Sequence, residues 1–581
     1  MEEYNGSILV QAQASLSSSI NSHEEIMNAV AFRRNEIDAY TQGRGGSGTP
    51  TSGSSGMVPK DIKKAVESAI PSLIEPFLNN NIVVAKGRDV ESDQKAEVVE
   101  ARLNYVWNYG MKTLPLMELL VRAMMEDGTV FTKTIWNGDR DMPGLEIMNI
   151  DAIITDPSAE TLDDAAFVIE QKKVSIAEIL NNPAWYGEHT LESLSELGAA
   201  TTEVYDREET GQESYFNFEE RLQQLISINI YYGEVVQDIE VVKKVIIWSD
   251  DFMINEMDSP YPEDWTHPFN SEVYTRIAGS IYGEGLADLL SVNQKIRTGL
   301  NRAILDSLDK GTNGQKGVKK GVLDVANKRK FIQGQDFEYL SQGGLDIWEG
   351  QFAETPASVY ALLDRVQADS EELSGISRLN GGLDPRALNS GVTATASNIV
   401  QSNAERRLLL ITRHISALLE NVFRDWLDLD VMMLENASVR VGKQIQSISG
   451  LDMQGNYDLT LDVATTGQKE QKTQQLTTVI QQLSQNPAIP QSITMRLMSE
   501  MVGAMGMYQT EEELMGISKS MAEQEAQPKQ PDPAQQAAMQ LEMQAKQAAT
   551  AKDESVAVLN GAKAMETHIS NEMLTYGVSN A

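Results

Sequence analysis

The chain is 581 residues long, 41% of its residues are hydrophobic, and its formal net charge is −36. This length is enough for roughly three or four domains with buried cores, and the negative charge argues against a general nucleic-acid binder, because such proteins neutralise phosphates with Lys and Arg. The chain has no Cys, which excludes disulfides, thiolate zinc sites and a cysteine nucleophile, and none of its five His forms an HExxH or HxxxH pair.

The N-terminal part of the chain is predicted to be helical. Residues 1–40 have a helical and acidic pattern, and residues 41–56 form a flexible linker rich in Gly, Ser and Thr. Apolar residues at spacings of three and four predict three further helices, at 59–79, 92–109 and 113–126. There is no basic and apolar leader and no run of about 18 apolar residues, so we expect a protein that is neither secreted nor inserted in a membrane.

Strands are predicted next. Runs rich in β-branched residues predict them at 128–137, 145–157 and 165–174, and alternation predicts an antiparallel pair at 226–236 and 240–252. Ser175 and Glu178 form a capping box that predicts a short helix. The acidic stretch 187–222 is weakly patterned and is interpreted as a surface excursion. This order of elements indicates an α+β fold.

Two predicted helices enclose a basic segment. The helix at 284–309 carries an apolar stripe made of Leu289, Ile296, Leu300, Ile304 and Leu308. Residues 310–330 follow with seven Lys or Arg against one acid, Asp324, a local net charge of +6, and strand-like pieces come next at 330–340 and 345–350. A second helix, 356–375, returns along the first. The basic segment is therefore predicted at the far end of a helix pair, where a solvated surface loop is the simplest interpretation.

A polar loop and a long helix follow this pair. Residues 376–397 are rich in Gly, Ser, Thr and Asn, and a loop of this length between strong helices is usually functional or disordered. The helix predicted at 398–434 is apolar at Leu408, Ile411, Ile415, Leu418, Leu419, Val422 and Trp426. Strands are predicted within 438–467. Beyond residue 468 the pattern is helical, interrupted by a linker at 523–536, and the final helix is predicted to be exposed or coiled.

A search for catalytic signatures finds none. The Gly- and Lys-rich residues 311–321 do not match the GxxxxGK[ST] phosphate loop, and no GxSxG elbow occurs. Asp425, Asp428 and Asp430 end an amphipathic helix, where we expect solvated carboxylates. The sequence therefore provides no candidate catalytic residue, no metal ligand and no cofactor site, and we expect a protein that is not an enzyme.

The order of these segments resembles the portal, or head-to-tail connector, proteins of tailed bacteriophages, most closely those of short-tailed phages. The helix-to-strand segment 119–138 resembles the opening of the portal wing, and 150–179 resembles its Asp-Pro turn and acidic patch. Residues 280–305 resemble the entry to the stem helix. Residues 376–415 resemble the tunnel loop and following helix, with Thr393, Ala394 and Thr395 at a recurrent position, and 463–476 is a weaker match.

The resemblance implies a portal-type fold with a mixed α/β wing, a two-helix stem, a small α/β clip, a long helix after a tunnel loop, and a helical C-terminal crown. Its parts are expected as follows: N-terminal arm and linker 1–57, wing 58–283, stem helix 284–309, clip 310–353, second stem helix 354–375, tunnel loop 376–397, long helix and second wing part 398–466, crown helices 467–522, and linker with C-terminal helix 523–581.

The resemblance also implies a function. It is that of a homo-oligomeric ring, a dodecamer, assembled in the host cytoplasm at one capsid vertex of the virion, with no membrane partner. Double-stranded DNA would pass through the ring without sequence specificity during packaging and ejection. The implied protein partners are terminase, a tail adaptor or head-completion protein, and the major capsid and scaffolding proteins.

Two groups of candidate residues follow from the resemblance. The tunnel-loop residues expected near DNA are Arg378, Asn380, Arg386, Asn389, Thr393 and Thr395. The clip residues expected in docking are Lys310, Lys316, Lys319, Lys320, Lys328, Arg329 and Lys330. Two alternatives remain open: a metal-dependent nucleic-acid-processing enzyme whose acidic segments hold Mg²⁺, and a scaffold or adaptor virion protein without a channel.

Overall fold

The computed structural model contains two compact units, Met1–Thr465 and Thr466–Ala581. It describes residues 2–38, 55–79, 81–194, 225–237, 240–312, 316–318, 325–332, 347–349, 355–376, 394–441, 444–463, 466–484, 491–504, 514–518, 520–521 and 533–576. Helices and several small sheets occur together, so the predicted α+β class is confirmed. Among the helices so described, none is long and apolar enough to cross a membrane.

Most helices of the first unit lie close to their predicted positions. They are α1 Glu2–Asp38, α2 Asp61–Ile74, α3 Val90–Tyr105, α4 Thr113–Asp127, α5 Ile176–Asn181, α6 Pro183–Tyr186, α7 Leu286–Thr312, α8 Val325–Ile332, α9 Ala357–Ser374, α10 Ala394–Met433 and α11 Gly450–Met453. A 3₁₀ turn, Glu75–Leu78, extends α2, and a π-helical turn, Val106–Gly110, extends α3. The second unit contains α12 Thr466–Ser484, α13 Gln491–Ala504 and α14 Pro533–Tyr576.

The strands in the described part of the chain form five sheets. They are β1 Val83–Gly87, β2 Thr129–Asn137, β3 Met142–Met148, β4 Ile153–Thr155, β5 Phe167–Ser175, β6 Leu225–Gln237, β7 Glu240–Ser249, β8 Phe252–Asp258, β9 Phe269–Val273, β10 Lys316–Val318, β11 Ile347–Glu349, β12 Ala437–Val441, β13 Gln444–Ile448 and β14 Tyr457–Leu461. The largest sheet is an antiparallel meander, β4-β5-β6-β7-β8, which confirms the predicted β6–β7 pair. A three-stranded sheet has the order β3-β2-β9, and the pairs β1-β14, β10-β11 and β12-β13 are separate.

Local sequence signals explain several helix ends. Asp89 caps α3 by accepting a hydrogen bond from the Ser92 amide at 2.8 Å. Ser175 caps α5 by accepting one from the Glu178 amide at 3.2 Å, which confirms the serine half of the predicted capping box. Gly128 ends α4 in the left-handed conformation (φ 84°), a backbone geometry that favours glycine.

The main core of the first unit surrounds α10. All seven predicted apolar positions of this helix, from Leu408 to Trp426, are buried. The ring of Phe423 lies 5.5 Å from that of Trp107 on the π-helical turn and 5.1 Å from that of Trp426, both in edge-to-face geometry. The amphipathic pattern of α10 was therefore a correct guide to its buried face.

The five-stranded sheet is covered on one face by the N-terminal helix. Ile8 and Ala12 of α1 are buried against Ile169 and Trp248 of the sheet. The Gln11 side chain also accepts a hydrogen bond from the Val236 amide at 3.0 Å and donates one to its carbonyl at 2.9 Å. The predicted N-terminal helix is thus docked along the sheet.

The apolar stripe of α7 is not the side of the helix that is buried. Ile296 and Leu308 are 42% and 63% exposed, while Leu286, Ala287 and Leu290 are buried together with Gln294 and Thr298. Burial on this helix is set by contact with neighbouring helices, which supply hydrogen bonds to a polar residue such as Gln294, so it does not follow apolar character. A smaller correction applies to residues 330–332, which were predicted as strand-like and belong to α8.

Candidate functional site

The two helices that flank the basic segment form an antiparallel pair. Asn293, near the start of α7, donates a hydrogen bond from Nδ2 to Oγ of Ser370, near the end of α9, at 3.1 Å. At the other end of the pair, β10 and β11 are antiparallel, with Lys316 opposite Glu349 and Val318 opposite Ile347. We call α7 and α9 with this strand pair the helical hairpin. The predicted course of the chain, outward along one helix and back along the next, is confirmed.

The described part of the basic segment runs from the last turn of α7 to α8. Lys328, Arg329 and Lys330 are exposed in the last turns of α8, and we call these three the tip cluster. The backbones of Lys310 and Lys316 belong to α7 and β10. Lys319 and Lys320 lie outside the described residues. Three of the seven predicted docking side chains are therefore seen, and all three face solvent.

The predicted tunnel loop begins at a defined helix end. Gly375 terminates α9 in the left-handed conformation (φ 70°), and its amide donates to the Glu371 carbonyl at 2.9 Å. Arg378, Asn380, Arg386, Asn389 and Thr393 lie outside the described residues, and the backbone of Thr395 is in the first turn of α10. The structure thus fixes the two helices that the loop connects, α9 and α10.

The base of the helical hairpin is joined to α1 by an ion pair that includes the buried Arg33. Arg33 of α1 is 7% exposed, its Nε lies 2.6 Å from Oδ2 of Asp288 in α7, and its guanidinium also donates to the carbonyl of Asp127. Arg34 contacts the Asp127 carboxylate at 2.8 Å and the Asp151 carboxylate at 2.7 Å. Hydrogen bonding to Asp127 holds the pKa of Arg34 above its ordinary value.

A second connection to α7 comes from residues 55–61, which we call the strap. The Ser55 amide donates to Asp306 at 2.6 Å, Arg302 donates to the Met57 carbonyl at 3.1 Å, and Arg297 lies 2.6 Å from Asp61. These contacts are spread along α7 from Asp306 to Arg297.

Gln294 of α7 completes the connection at the base. Its Oε1 accepts a hydrogen bond from the Ile62 amide at 3.1 Å, and its Nε2 donates to the Glu36 carbonyl at 3.0 Å. The side chain is 2% exposed, and its amide oxygen and nitrogen are both satisfied. Sequence reasoning missed these contacts, because their partners are far apart in the chain and each residue alone looks like an ordinary surface polar residue.

Of the three carboxylates at the end of α10, Asp430 contradicts the sequence interpretation most clearly. It is fully buried and forms a bidentate pair with Arg102 of α3, at 3.1 Å to Nε and 2.9 Å to the second guanidinium nitrogen. Arg102 is itself 2% exposed and also donates to the Asp141 carbonyl at 2.8 Å. The prediction of a solvated acid at residue 430 is wrong, because the Asp430 carboxylate is buried in the core and paired there with Arg102 of α3.

Asp425 is a second correction. Its side chain is half-buried and accepts hydrogen bonds from Asn270 Nδ2 of β9 at 2.5 Å and from Thr134 Oγ1 of β2 at 3.0 Å. Burial raises the pKa of Asp425 to about 7, and the two hydrogen bonds only partly oppose the rise. Asp428 is exposed as predicted, and Trp265 donates to it at 3.3 Å.

The described residues contain no group of three or more acidic or His side chains placed to hold a metal ion. The carboxylates at the end of α10 instead connect that helix to α3 and to the β3-β2-β9 sheet through Arg102, Thr134 and Asn270. Their role is to fix α10, the helix that follows the predicted tunnel loop.

A comparison with protein families gives one match. The family model described as phage SU10 portal protein matches residues 8–142 and 137–549 of the chain. Together these ranges include α7 and α9 of the helical hairpin, the whole of α10 and the first two helices of the second unit. The match therefore covers the elements that carry the candidate sites.

Proposed function

The chain belongs to the phage SU10 portal protein family and is thus a portal protein of a short-tailed bacteriophage, and we propose that its copies form a ring at one capsid vertex through which DNA is packaged and ejected. The observation that carries this proposal is the family match from residue 8 to residue 549. A portal acts by geometry repeated around an axis, so the function needs no catalytic group. We propose a dodecamer, as the earlier resemblance implied.

The described elements can be assigned to the parts of a portal. In this proposal α7 and α9 are the stem, the segment between them that carries the tip cluster is the clip, and the segment from α9 to α10 is the tunnel loop. The sheets other than the β10–β11 pair, the helices α2–α4 and α10 form the wing, and the second unit supplies the crown. The buried contacts of Asp430 and Asp425 support the assignment of α10, because they would hold this helix still while the loop before it moves.

Charge supports the role of a passive channel. A ring built from copies that each carry −36 repels a polyanion on average, so DNA is kept from adhering to the wall. Local contact would come from Arg378 and Arg386, with neutral hydrogen bonds from Asn380, Asn389, Thr393 and Thr395. Few basic groups near the DNA mean few phosphate contacts to break as it slides.

The tip cluster is proposed as part of the docking surface for terminase and later for the tail adaptor. Lys328, Arg329 and Lys330 are exposed on a short helix in an otherwise acidic protein. Concentrated charge of this kind mainly increases the rate of encounter with an acidic surface. The remaining proposed contacts, Lys310, Lys316, Lys319 and Lys320, belong to the same segment of chain.

Electron microscopy of the purified protein, with mass measurement in solution, tests this function. We expect closed rings with an open centre, and no hydrolysis of DNA or RNA when Mg²⁺ or Mn²⁺ is added. A monomer with metal-dependent hydrolysis would instead identify an enzyme, and closed assemblies without a central opening would identify a scaffold. Particles assembled without the protein should fail to fill with DNA, and normal filling would refute the proposal.

A further inference from the structure

One side of α10 is exposed along its middle, although the helix packs in the main core of the first unit. Leu410 is 57% exposed, and Arg413, Ala417, Asn421 and Arg424 are exposed as well. With about 100° between successive residues, these five positions lie within an arc of about 80°. We call them the α10 stripe. It extends over about 21 Å of the helix at 1.5 Å per residue.

Contacts of the chain itself mark the borders of the α10 stripe. Along one border, Nδ1 of His414 lies 3.0 Å from a carboxylate oxygen of Glu272 in β9. Asp425 continues this border through its hydrogen bonds to β2 and β9. At the C-terminal end of the stripe, Trp265 donates to Asp428 at 3.3 Å. The stripe is therefore the part of α10 that these contacts between described residues leave open.

The two arginines of the stripe are not neutralised by described residues. Arg413 forms no ion pair within the part of the chain that the structure describes. The pKa of Asp458 in β14 is lowered mainly by its hydrogen bond with Arg88 and only to a small extent by the more distant charge of Arg424. Asp458 is thus already paired with Arg88, at 2.6 Å. Both arginines remain available to carboxylates of another molecule.

The rest of the stripe has the character of a protein-binding surface. Ala417 and Asn421 have short side chains, and they lie between the two arginines and let a partner approach α10 closely. Leu410 adds an apolar side chain at the N-terminal end. Apolar residues and arginines together are typical of protein interfaces. DNA would meet only two cations on this stripe, about 16 Å apart, which is a poor match to its closely spaced phosphates.

The helix that carries the stripe is already fixed in the single chain. Asp430 is paired with Arg102 of α3, and Asp425 is held by Thr134 and Asn270. A surface that is held in advance loses little conformational freedom when a partner binds. Arginine also keeps its charge over the whole accessible pH range and can bind a carboxylate through two parallel hydrogen bonds. The stripe is therefore well suited to a partner that presents carboxylates.

We propose that the α10 stripe is covered, in the ring, by an acidic surface of a neighbouring copy of the chain. This inference rests on the proposed ring and specifies one of the surfaces that close it. Each copy carries a net charge of −36, so two copies repel each other on average. An interface between them needs cations at the points where they meet the carboxylates of the neighbour. Arg413 and Arg424 supply such cations.

The first test reverses the charge of the stripe. The variant Arg413→Glu/Arg424→Glu should elute as a monomer under conditions in which the wild type forms rings, with a circular dichroism spectrum like that of the wild type, because both residues are exposed. The control Lys64→Glu/Lys112→Glu reverses the same amount of charge at two exposed lysines outside α10 and should keep the rings. Normal rings from the stripe variant would overturn the inference and leave the proposed function intact, whereas a wild type without rings would overturn the function itself.

A second test measures burial of the stripe in rings that stay intact. The chain has no Cys, so Ala417→Cys introduces a single thiol. In intact rings this thiol should react with a maleimide about tenfold more slowly than in the urea-unfolded chain, because a neighbouring copy covers it. Leu119→Cys is the control, since Leu119 of α4 is 58% exposed, and its thiol should react nearly as fast in rings as in the unfolded chain. Equally fast reaction of both variants in intact rings would overturn the inference.

The same measurement separates a neighbouring copy from DNA as the partner of the two arginines. Slow reaction of the Ala417→Cys variant in empty, DNA-free rings supports contact between copies. Slow reaction that appears only after DNA has entered the rings would assign the stripe to the DNA channel, and it would overturn the proposed contact between copies.

Discussion

The buried pair between Arg102 and Asp430 provides the sharpest test of how α10 is held. Both side chains are at most 2% exposed and they share two hydrogen bonds. Arg102→Met leaves a buried carboxylate without its cation, and Asp430→Leu leaves a buried guanidinium. Removal of one partner from a buried pair typically costs about 3–5 kcal/mol, so each single variant should lose about that much free energy of unfolding.

The double variant Arg102→Met/Asp430→Leu should be more stable than either single variant. It leaves no unpaired charge, and replacement of a buried pair by apolar residues is often close to neutral. One cost remains, the lost hydrogen bond from Arg102 to the Asp141 carbonyl, at about 1 kcal/mol. The measurement is urea unfolding followed by Trp fluorescence, since Trp107 and Trp426 are in the surrounding core. Costs that simply add in the double variant would refute the reasoning.

Three further predictions use other parts of the structure. Because burial raises the pKa of Asp425 to about 7, the stability that this group contributes is complete below about pH 4 and is lost as pH rises through 7. Asp425→Asn should therefore reduce the fall in unfolding free energy between pH 5.5 and 8 by about 1–2 kcal/mol. A pH profile of stability that is the same in the variant as in the wild type would contradict the prediction. Gly128→Ala should destabilise the protein by more than about 2 kcal/mol in urea unfolding, since its Cβ would lie 2.7 Å from the backbones at residues 283 and 285. Gly279→Ala is the control for backbone strain alone, because Gly279 has φ 73° and open space around it, and this variant should cost about 1 kcal/mol. Changing the tip cluster to Gln should slow binding of an acidic docking partner several-fold at low salt, with the difference shrinking at high salt. The control is the same change at Lys60, Lys63 and Lys64, at the start of α2, and equal association rates for the tip-cluster variant and this control would argue against docking there.

Periodicity predicted the elements well wherever burial follows apolar character. The seven apolar positions of α10 are all buried, and the alternating runs at 226–236 and 240–252 form the β6–β7 pair. In both cases a single face of one element packs on a large core, so the local pattern contains the information. The same reasoning located the basic segment between two antiparallel helices.

Periodicity failed wherever a residue is buried by a partner far away in the chain. Asp430 is 328 positions from Arg102, and nothing near residue 430 indicates that a cation will meet it. On α7 the buried side includes Gln294, whose hydrogen-bond partners belong to α1 and α2, while Ile296 remains exposed. A buried polar residue needs a hydrogen-bond partner, and where that partner is far away in the chain, as for Gln294 and Asp430, the local apolar pattern does not reveal it.

The contacts along α7 indicate how the helical hairpin is supported by the rest of the first unit. Polar contacts from α1 and the strap reach α7 from Asp288 to Asp306, a length of about 27 Å at 1.5 Å per residue. Hydrogen bonds and ion pairs constrain direction as well as distance, so a row of them resists both sliding and rotation of the helix. Because α1 is also docked on the five-stranded sheet through Ile8 and Ala12, a force applied at the tip cluster by a docked partner would pass through α7 and α1 into that sheet.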